Sequence, residues 1–485
     1  MTLGASLIGI YAALGGLAVG IALAERVPYS VALGVGCCSL LAASCRRRAA
    51  VALIGLIGTA ASCGLIVTAA RATPSPLESL ADRIPRCELK GRLLEHAGGL
   101  GSLVSADLLD CDGFVPGRAA GVVVIEPSDV AAGSVVIATG WLLPLRADDT
   151  FDNARRALGA HGAFRIDEID EHAPPRGLHA VASGVREGLV RATTGMDRER
   201  AGLLSGLTTG DTTGMGGAEE QLRRAGLSHL VAVSGSNVAI VVGATALMVS
   251  SLALPLRVIV CALALGLFVL VVGPEPSVLR ASVMGLVGLL ALAAGRRAEP
   301  LHALGLALIV LLTLRPGLVS SVGLHLSVAA TAGIVLFSGH IRRALGWLPG
   351  FVALGLAVTL AAQFAVAPVL VGTFGELSLV APVANLLAIP AVAPATVFGL
   401  LAAIMGAVAP PLGWLCARIA EPCVMWVLTV GRTMGSWSWA SVDVPKQSAW
   451  VLWGLVTAAA LASLKGGRPE PLPVSGEPLV AGEPK

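Results

Sequence analysis

Charged and aromatic side chains are scarce in this chain. Of its 485 residues only 13% are Asp, Glu, Lys or Arg, about half the share of an ordinary soluble domain, which excludes that class. The aromatic fraction is 4%, which argues against a long channel that stacks nucleic-acid bases on ring faces. The net charge is +3, so no global basic field marks a nucleic-acid binder, and any affinity for anions must come from local placement. The nine cysteines contain no CxxC, and the eight histidines are scattered without an HxHxDH cluster. Neither a hydrolytic metal centre nor a cofactor is expected.

What fills the chain instead is apolar: 55% of residues are hydrophobic and the mean hydropathy is +0.81. That composition predicts a polytopic α-helical membrane protein. Leu3–Ala24, Val27–Cys45 and Ala49–Ala70 read as three spans of an N-terminal membrane region, 1–72. The ALAE ending of the first resembles a cleavage site, but the run is long and lacks a basic start, so it reads as retained. Arg46, Arg47 and Arg48 form a short loop that the positive-inside rule assigns to the cytoplasm. Running the spans forward places Arg257, Arg296–Arg297, Arg342–Arg343 and Lys465 on that same side. Residues 226–465 are nearly continuous apolar runs, among them 227–253, a short one at 301–314, 317–339, and a Pro-rich 379–411 that suggests broken or re-entrant helices. With the first three, the total is about twelve spans, each judged against roughly 20 apolar residues. The 466–485 tail, rich in Pro, Gly and Glu, reads as a disordered cytoplasmic end.

Residues 73–172 differ in character. Glu88–Leu94, Ser102–Leu109, Gly121–Glu126 and Ser134–Leu143 are short, β-favouring stretches separated by Gly, Pro and Asp, the pattern of a small antiparallel barrel or sandwich. The orientation above makes this domain extracytoplasmic. In an oxidising exterior Cys87 and Cys111 can pair; two unpaired buried thiols are the alternative. Residues 173–225 read as an amphipathic helix followed by a polar, Gly-rich linker. In the helix, Gly177–Thr194, Leu178, Val181, Val185, Leu189 and Val190 recur at helical spacing. It suits either the membrane surface or the side of the bundle.

The stretch Gly226–Val242, GLSHLVAVSGSNVAIVV, sets His229, Ser234, Ser236 and Asn237 near the start of an apolar run, with Gly235 between the two serines. Lipid offers no hydrogen bonds, so such groups face a bundle interior or a cavity. A Gly-interrupted helix opening exposes helix-terminal N–H groups to an anion. The plainer alternative is a helix packed through small residues, its serines bonding their own backbone. Arg280, in PSVLRASVMG, must snorkel, pair or line water. His325 and Gln363 read as deeper, and both also suit ordinary interhelical hydrogen bonding. Asn385, between Pro382 and Pro390, suits the capping of freed carbonyls. Glu275 and Glu376 read as loop residues. A serine hydrolase is not expected, because V-S-G-S-N is not G-x-S-x-G and no acidic residue stands ready to orient a histidine.

GLSHLVAVSGSNVAIVVG resembles the signature of the ComEC competence family. Three further blocks agree in order: SVLRASVMG, GLHLSVAATAGIVLF and QFAVAPVLVGTFGELSLVAPVANLLAIP. The resemblance implies an inner-membrane channel that passes single-stranded DNA into the cytoplasm during natural transformation, with an external OB-like barrel. It marks His229, Ser234, Gly235, Ser236, Asn237, Arg280, His325, Ser327, Gln363 and Asn385 as lining the DNA path. It also implies as partners a DNA receptor of the ComEA type, a cytoplasmic motor or single-strand-binding protein, and membrane lipid, and leaves open a separate nuclease and a homodimer. Many members carry a C-terminal metallo-β-lactamase-like domain. This sequence ends after its last span, so nuclease activity is not carried over and no catalytic residue is assigned. A secondary transporter or exporter of a small or lipid-linked anion is the competing function, and a non-transporting scaffold a third; the lack of an obvious deep Asp or Glu counts against ion coupling.

Overall fold

The structure, a computed structural model, describes residues 76–96, 101–111, 121–126 and most of 130–465. The three N-terminal spans expected within 1–72 and the tail at 466–485 lie outside the described residues.

A short helix α1, Pro76–Ala81, leads into five strands: β1 Arg86–His96, β2 Ser102–Cys111, β3 Gly121–Ile125, β4 Val135–Leu143 and β5 Gly162–Ala173. They close into a barrel in the order β1-β2-β3-β5-β4. The β3–β5 pair is parallel and the other pairs antiparallel. Closure removes the free edges that would otherwise template aggregation. On β4, Val136, Ala138 and Leu142 alternate inward and are fully buried, and Leu142 shares one core with Leu89, Leu93, Val104, Val123 and Phe164. The fifth strand escapes sequence reading because FRIDEIDEH keeps its outward positions charged or exposed.

Cys87 stands directly opposite Cys111 in the β1–β2 register, and the two form a disulfide across a separation of 24 residues. Closing a loop of that length stabilises a small domain by about 3 kcal/mol. Thiol alkylation is therefore expected to label both residues only after reduction. A Cys87→Ser, Cys111→Ser double variant is expected to unfold its barrel at lower denaturant. Labelling of both thiols without reductant is the contrary result.

The rest is helical. Among the described residues six helices are long and apolar enough to cross a membrane: α7 Leu254–Val272, α8 Pro276–Ala293, α10 Val322–Ala344, α11 Gly350–Phe374, α12 Ala381–Val408 and α13 Pro410–Gly435. Between and after them lie α6 Gly235–Met248, α9 Pro300–Leu314 and α14 Ala449–Lys465, which are shorter. The Pro-rich 379–411 region is not broken as expected: α12 is continuous over 28 residues with Pro390 and Pro394 inside it. Each proline removes an N–H and loosens the turn before it. There the indole N–H of Trp426 on α13 donates to Leu387 O at 2.8 Å.

Residues 173–225 are no peripheral linker. They form α2 Leu178–Ala192, α3 Arg198–Thr209 and α4 Ala218–Arg224, and Leu203, Leu204, Leu207, Met215 and Leu222 are fully buried in one core with α12 and α13. The helix α2 lies against that core through Ala182, Val185, Leu189 and Ala192, while Leu178, Val181 and Val190 remain exposed. The crossing is close because it is made of glycines. A Cβ on Gly406 would stand 2.1 Å from Gly188 O, and one on Gly188 2.2 Å from Ala403 O. Small residues of this kind let helix backbones touch. A domain boundary at 226 thus cuts through a packed unit.

Candidate functional site

The run expected as one span at 227–253 is two helices. A four-residue helix, α5 Ser228–Val231, ends before Ser234, and α6 begins at Gly235. Ser234 is the extended N-cap of α6, yet its side chain makes no capping bond to the helix; its Oγ lies 2.5 Å from Ser236 Oγ. The leading N–H groups of α6 are thus left without a side-chain cap, at the end where the helix dipole favours negative charge.

Three helix openings meet here. Ser277, in the first turn of α8, donates to Val233 O at 3.2 Å and fixes that helix against the break. One turn on, Arg280 turns its guanidinium onto Gly235: a Cβ there would stand 2.6 Å from Arg280 Nη2. Only glycine leaves room for that contact. Arg280 Nε donates to Ser327 Oγ at 2.9 Å, in the second turn of α10, and Nη1 lies 3.0 Å from Met284 Sδ. The side chain does not snorkel; the residue is 6% exposed, and no carboxylate among the described residues pairs with it. An uncompensated guanidinium thus sits beside the N-terminal turns of α6, α8 and α10. Ser236 is exposed next to it, whereas His229, on α5, bonds the Gly226 backbone and is not brought to the guanidinium. Such a place suits a phosphate or carboxylate, met by a fork of N–H donors and helix-end amides.

The other expected residues divide by what they bond. Asn237 is 1% exposed and donates to Leu207 O at 2.9 Å. It ties α6 to the end of α3 and does not line open space. Asn237→Ala leaves that buried carbonyl without its donor, a loss of about 1–3 kcal/mol, expected as a lowered unfolding midpoint of the purified protein; an unchanged midpoint would remove this role. Asn385, 5% exposed, donates to Ala381 O at 2.8 Å and reaches Gly226 O at 3.5 Å. It caps backbone, as its place between two prolines leads one to expect. Gln363 donates to Ser378 O at 2.6 Å, while Gln363 Oε1 and Asn385 Oδ1 have no protein partner. His325 is not deep; it occupies the first turns of α10 and lines a different recess with Lys446 and Trp450. The structure therefore brings Ser234, Gly235, Ser236, Arg280 and Ser327 together, and sets Gln363 and Asn385 in a second, backbone-bonded group around Gly226.

Glu376, expected in a loop, lies in a two-stranded ribbon, β6 Glu376–Ser378 with β7 Ser441–Asp443. Arg223 on α4 binds both Glu376 and Glu220, and its guanidinium holds the Glu220 carboxyl below the usual range. Ser378 Oγ donates to Arg224 O at 2.8 Å. These bonds pin α4, and through it the entry to α5, to the ends of α11 and α13. Sequence reading passed over Ser277 as a supporting residue, although its spacing of three from Arg280 puts both on one helix face.

Fold and site together define a helical membrane-embedded protein with an appended five-stranded barrel and an anion-favouring cluster of helix openings. A family model described as "Competence protein" matches residues 207–469, and the chain belongs to that family. The match begins inside α3, in accord with the packed unit that α3 shares with α12 and α13. The ComE operon protein 3 of Bacillus subtilis (strain 168) is 27% identical over 254 residues, which cover 50% of this chain and 32% of that protein. The similarity thus spans about a third of the relative's length. No solved structure matches.

Proposed function

We propose that this chain is a cell-membrane channel that conducts one strand of DNA into the cytoplasm during natural transformation. Arg280 carries the reading: a buried arginine without a carboxylate partner, held on Gly235 where three helices open. A charge at a helix centre costs about 3 kcal/mol on insertion scales; Arg280, one turn into α8, bears part of that cost, and no described ion pair offsets it. A passing phosphodiester does so transiently. Phosphate contacts of this kind position a strand without reading its sequence, and few aromatics let it leave as readily as it enters.

In this reading the openings of α6, α8 and α10 face outward. Arg342 and Arg343 close the last turn of α10, the cytoplasmic end by the positive-inside rule. The barrel lies on the outer side, its closed order and parallel β3–β5 pair fit an OB-like domain, and the full count reaches about twelve spans with the N-terminal region. The chain performs no catalytic step of its own. A receptor delivers the strand, a cytoplasmic motor or single-strand-binding protein draws it in, and a separate nuclease removes the complement.

Deleting the gene in a transformable host is expected to abolish nuclease-resistant internalised DNA, and re-expressing the full chain to restore it. Undiminished internalisation in the deletion strain would refute the proposal. Saturable flux of a small anion without DNA uptake would favour the transporter reading instead.

A further inference from the structure

The tryptophans are placed unevenly. Four of the chain's eight lie between 437 and 453, and all four are exposed, Trp450 by 80%. Trp437 and Trp439 stack with centroids 4.9 Å apart at the end of α13. Trp450 and Trp453, on the first turns of α14, border a recess of about 360 Å³. Its floor is Pro368, Val369 and Gly372 of α11, and its rim holds Lys446, Thr373 and His325. Lys446 stands in the short 3₁₀ turn Lys446–Ser448 that leads into α14.

We propose that this recess binds an anionic glycerophospholipid, with its phosphate at Lys446 and the upper part of an acyl chain along α11 between the two tryptophans. Three observations select lipid over a nucleic-acid strand. The recess opens at helix ends, where amphipathic tryptophan rings lie at headgroup level. It is walled by α14, which packs on α10, α11 and the preceding 3₁₀ turn, at the periphery of the described helices. Its floor is apolar, complementary to hydrocarbon, while its one lysine is complementary to a single phosphate. The turn carrying Lys446 follows directly on β7, whose partner β6 is tied through Arg223 to α4.

The test uses the full-length protein in nanodiscs containing brominated phosphatidylglycerol or brominated phosphatidylcholine, with tryptophan fluorescence as the readout. Trp450→Phe, Trp453→Phe identifies the signal by difference. Quenching of that signal is expected at a roughly fivefold lower mole fraction of phosphatidylglycerol. Lys446→Ala is expected to abolish the preference while the unfolding midpoint stays unchanged. Equal quenching by the two lipids, an undiminished preference in the Lys446→Ala protein, or displacement of the brominated lipid by a single-stranded oligonucleotide would each overturn the assignment.

Discussion

Arg280→Ala is expected to cut internalised transforming DNA on the order of 100-fold, with the protein present in the membrane at its normal level. The second half of that expectation separates function from structure. Removing a buried arginine relieves part of an insertion penalty that reaches about 3 kcal/mol at a helix centre, so the variant should insert at least as well as the parent. Its lost bonds are one to Ser327 Oγ and one to Met284 Sδ, and neither partner becomes a stranded charge. Arg280→Lys keeps the positive charge but loses the planar fork that lies on Gly235 and reaches Ser327, so uptake should fall to an intermediate value. Gly235→Ala should resemble Arg280→Ala more closely than its size suggests, because the added methyl would stand 2.6 Å from Nη2 and push the guanidinium off its seat. The measurement is nuclease-resistant labelled DNA per cell alongside immunodetection of the membrane fraction. Loss of the protein from the membrane in Arg280→Ala would show that the side chain serves folding.

Gly406→Val is expected to be strongly destructive. Any Cβ at this position meets the backbone of Gly188, and Gly413 packs on the other side with its own Cβ position 2.5 Å from Gly406 Cα. Backbone cannot rotate away as a long side chain can, so α2 and α13 must separate from α12. Overpacking of this kind costs about 1–3 kcal/mol at side chains and more where backbone must move. Losses of that size lower cellular abundance several-fold. Gly184→Ala, one turn earlier on α2, provides the control: nothing lies within 4 Å of its Cβ position, and alanine in a helix interior gains roughly 0.5–1 kcal/mol. The pair is read by protein level and by thermal unfolding in detergent. Equal behaviour of the two variants would contradict the close crossing.

These glycines also show where sequence reading stops. Apolar periodicity revealed the long helices, since a span needs an uninterrupted hydrophobic run and little else. The barrel was visible through four of its strands and the cysteine pair. GLTTGDTTGMGG reads as linker because glycine and threonine carry no hydrophobic signal, yet Thr208 is fully buried and Gly206 and Gly214 let backbones approach. Their role is steric, and a steric fit does not show until the partner surface is known. The candidate site was legible in its residue types and only partly in its geometry. Pro276, Ser277 and Arg280 are adjacent in sequence, but nothing in the chain says that Arg280 ends on Gly235. Asn237 and Asn385 are marked by polarity and by the family resemblance, with backbone capping the plainer reading at Asn385, and their amides prove to be committed to Leu207 O, Ala381 O and Gly226 O. Polarity at membrane depth identifies groups that need partners; it does not distinguish a backbone carbonyl from a passing ligand.

The most direct measurement places a photo-crosslinking amino acid at Ser236, exposed beside Arg280, and at Leu247, 76% exposed near the far end of the same helix. Cells taking up labelled DNA are then illuminated. The account predicts a crosslink from position 236 to single-stranded DNA that disappears in the Arg280→Ala background. DNA that enters at the normal rate and never crosslinks at 236 would contradict it.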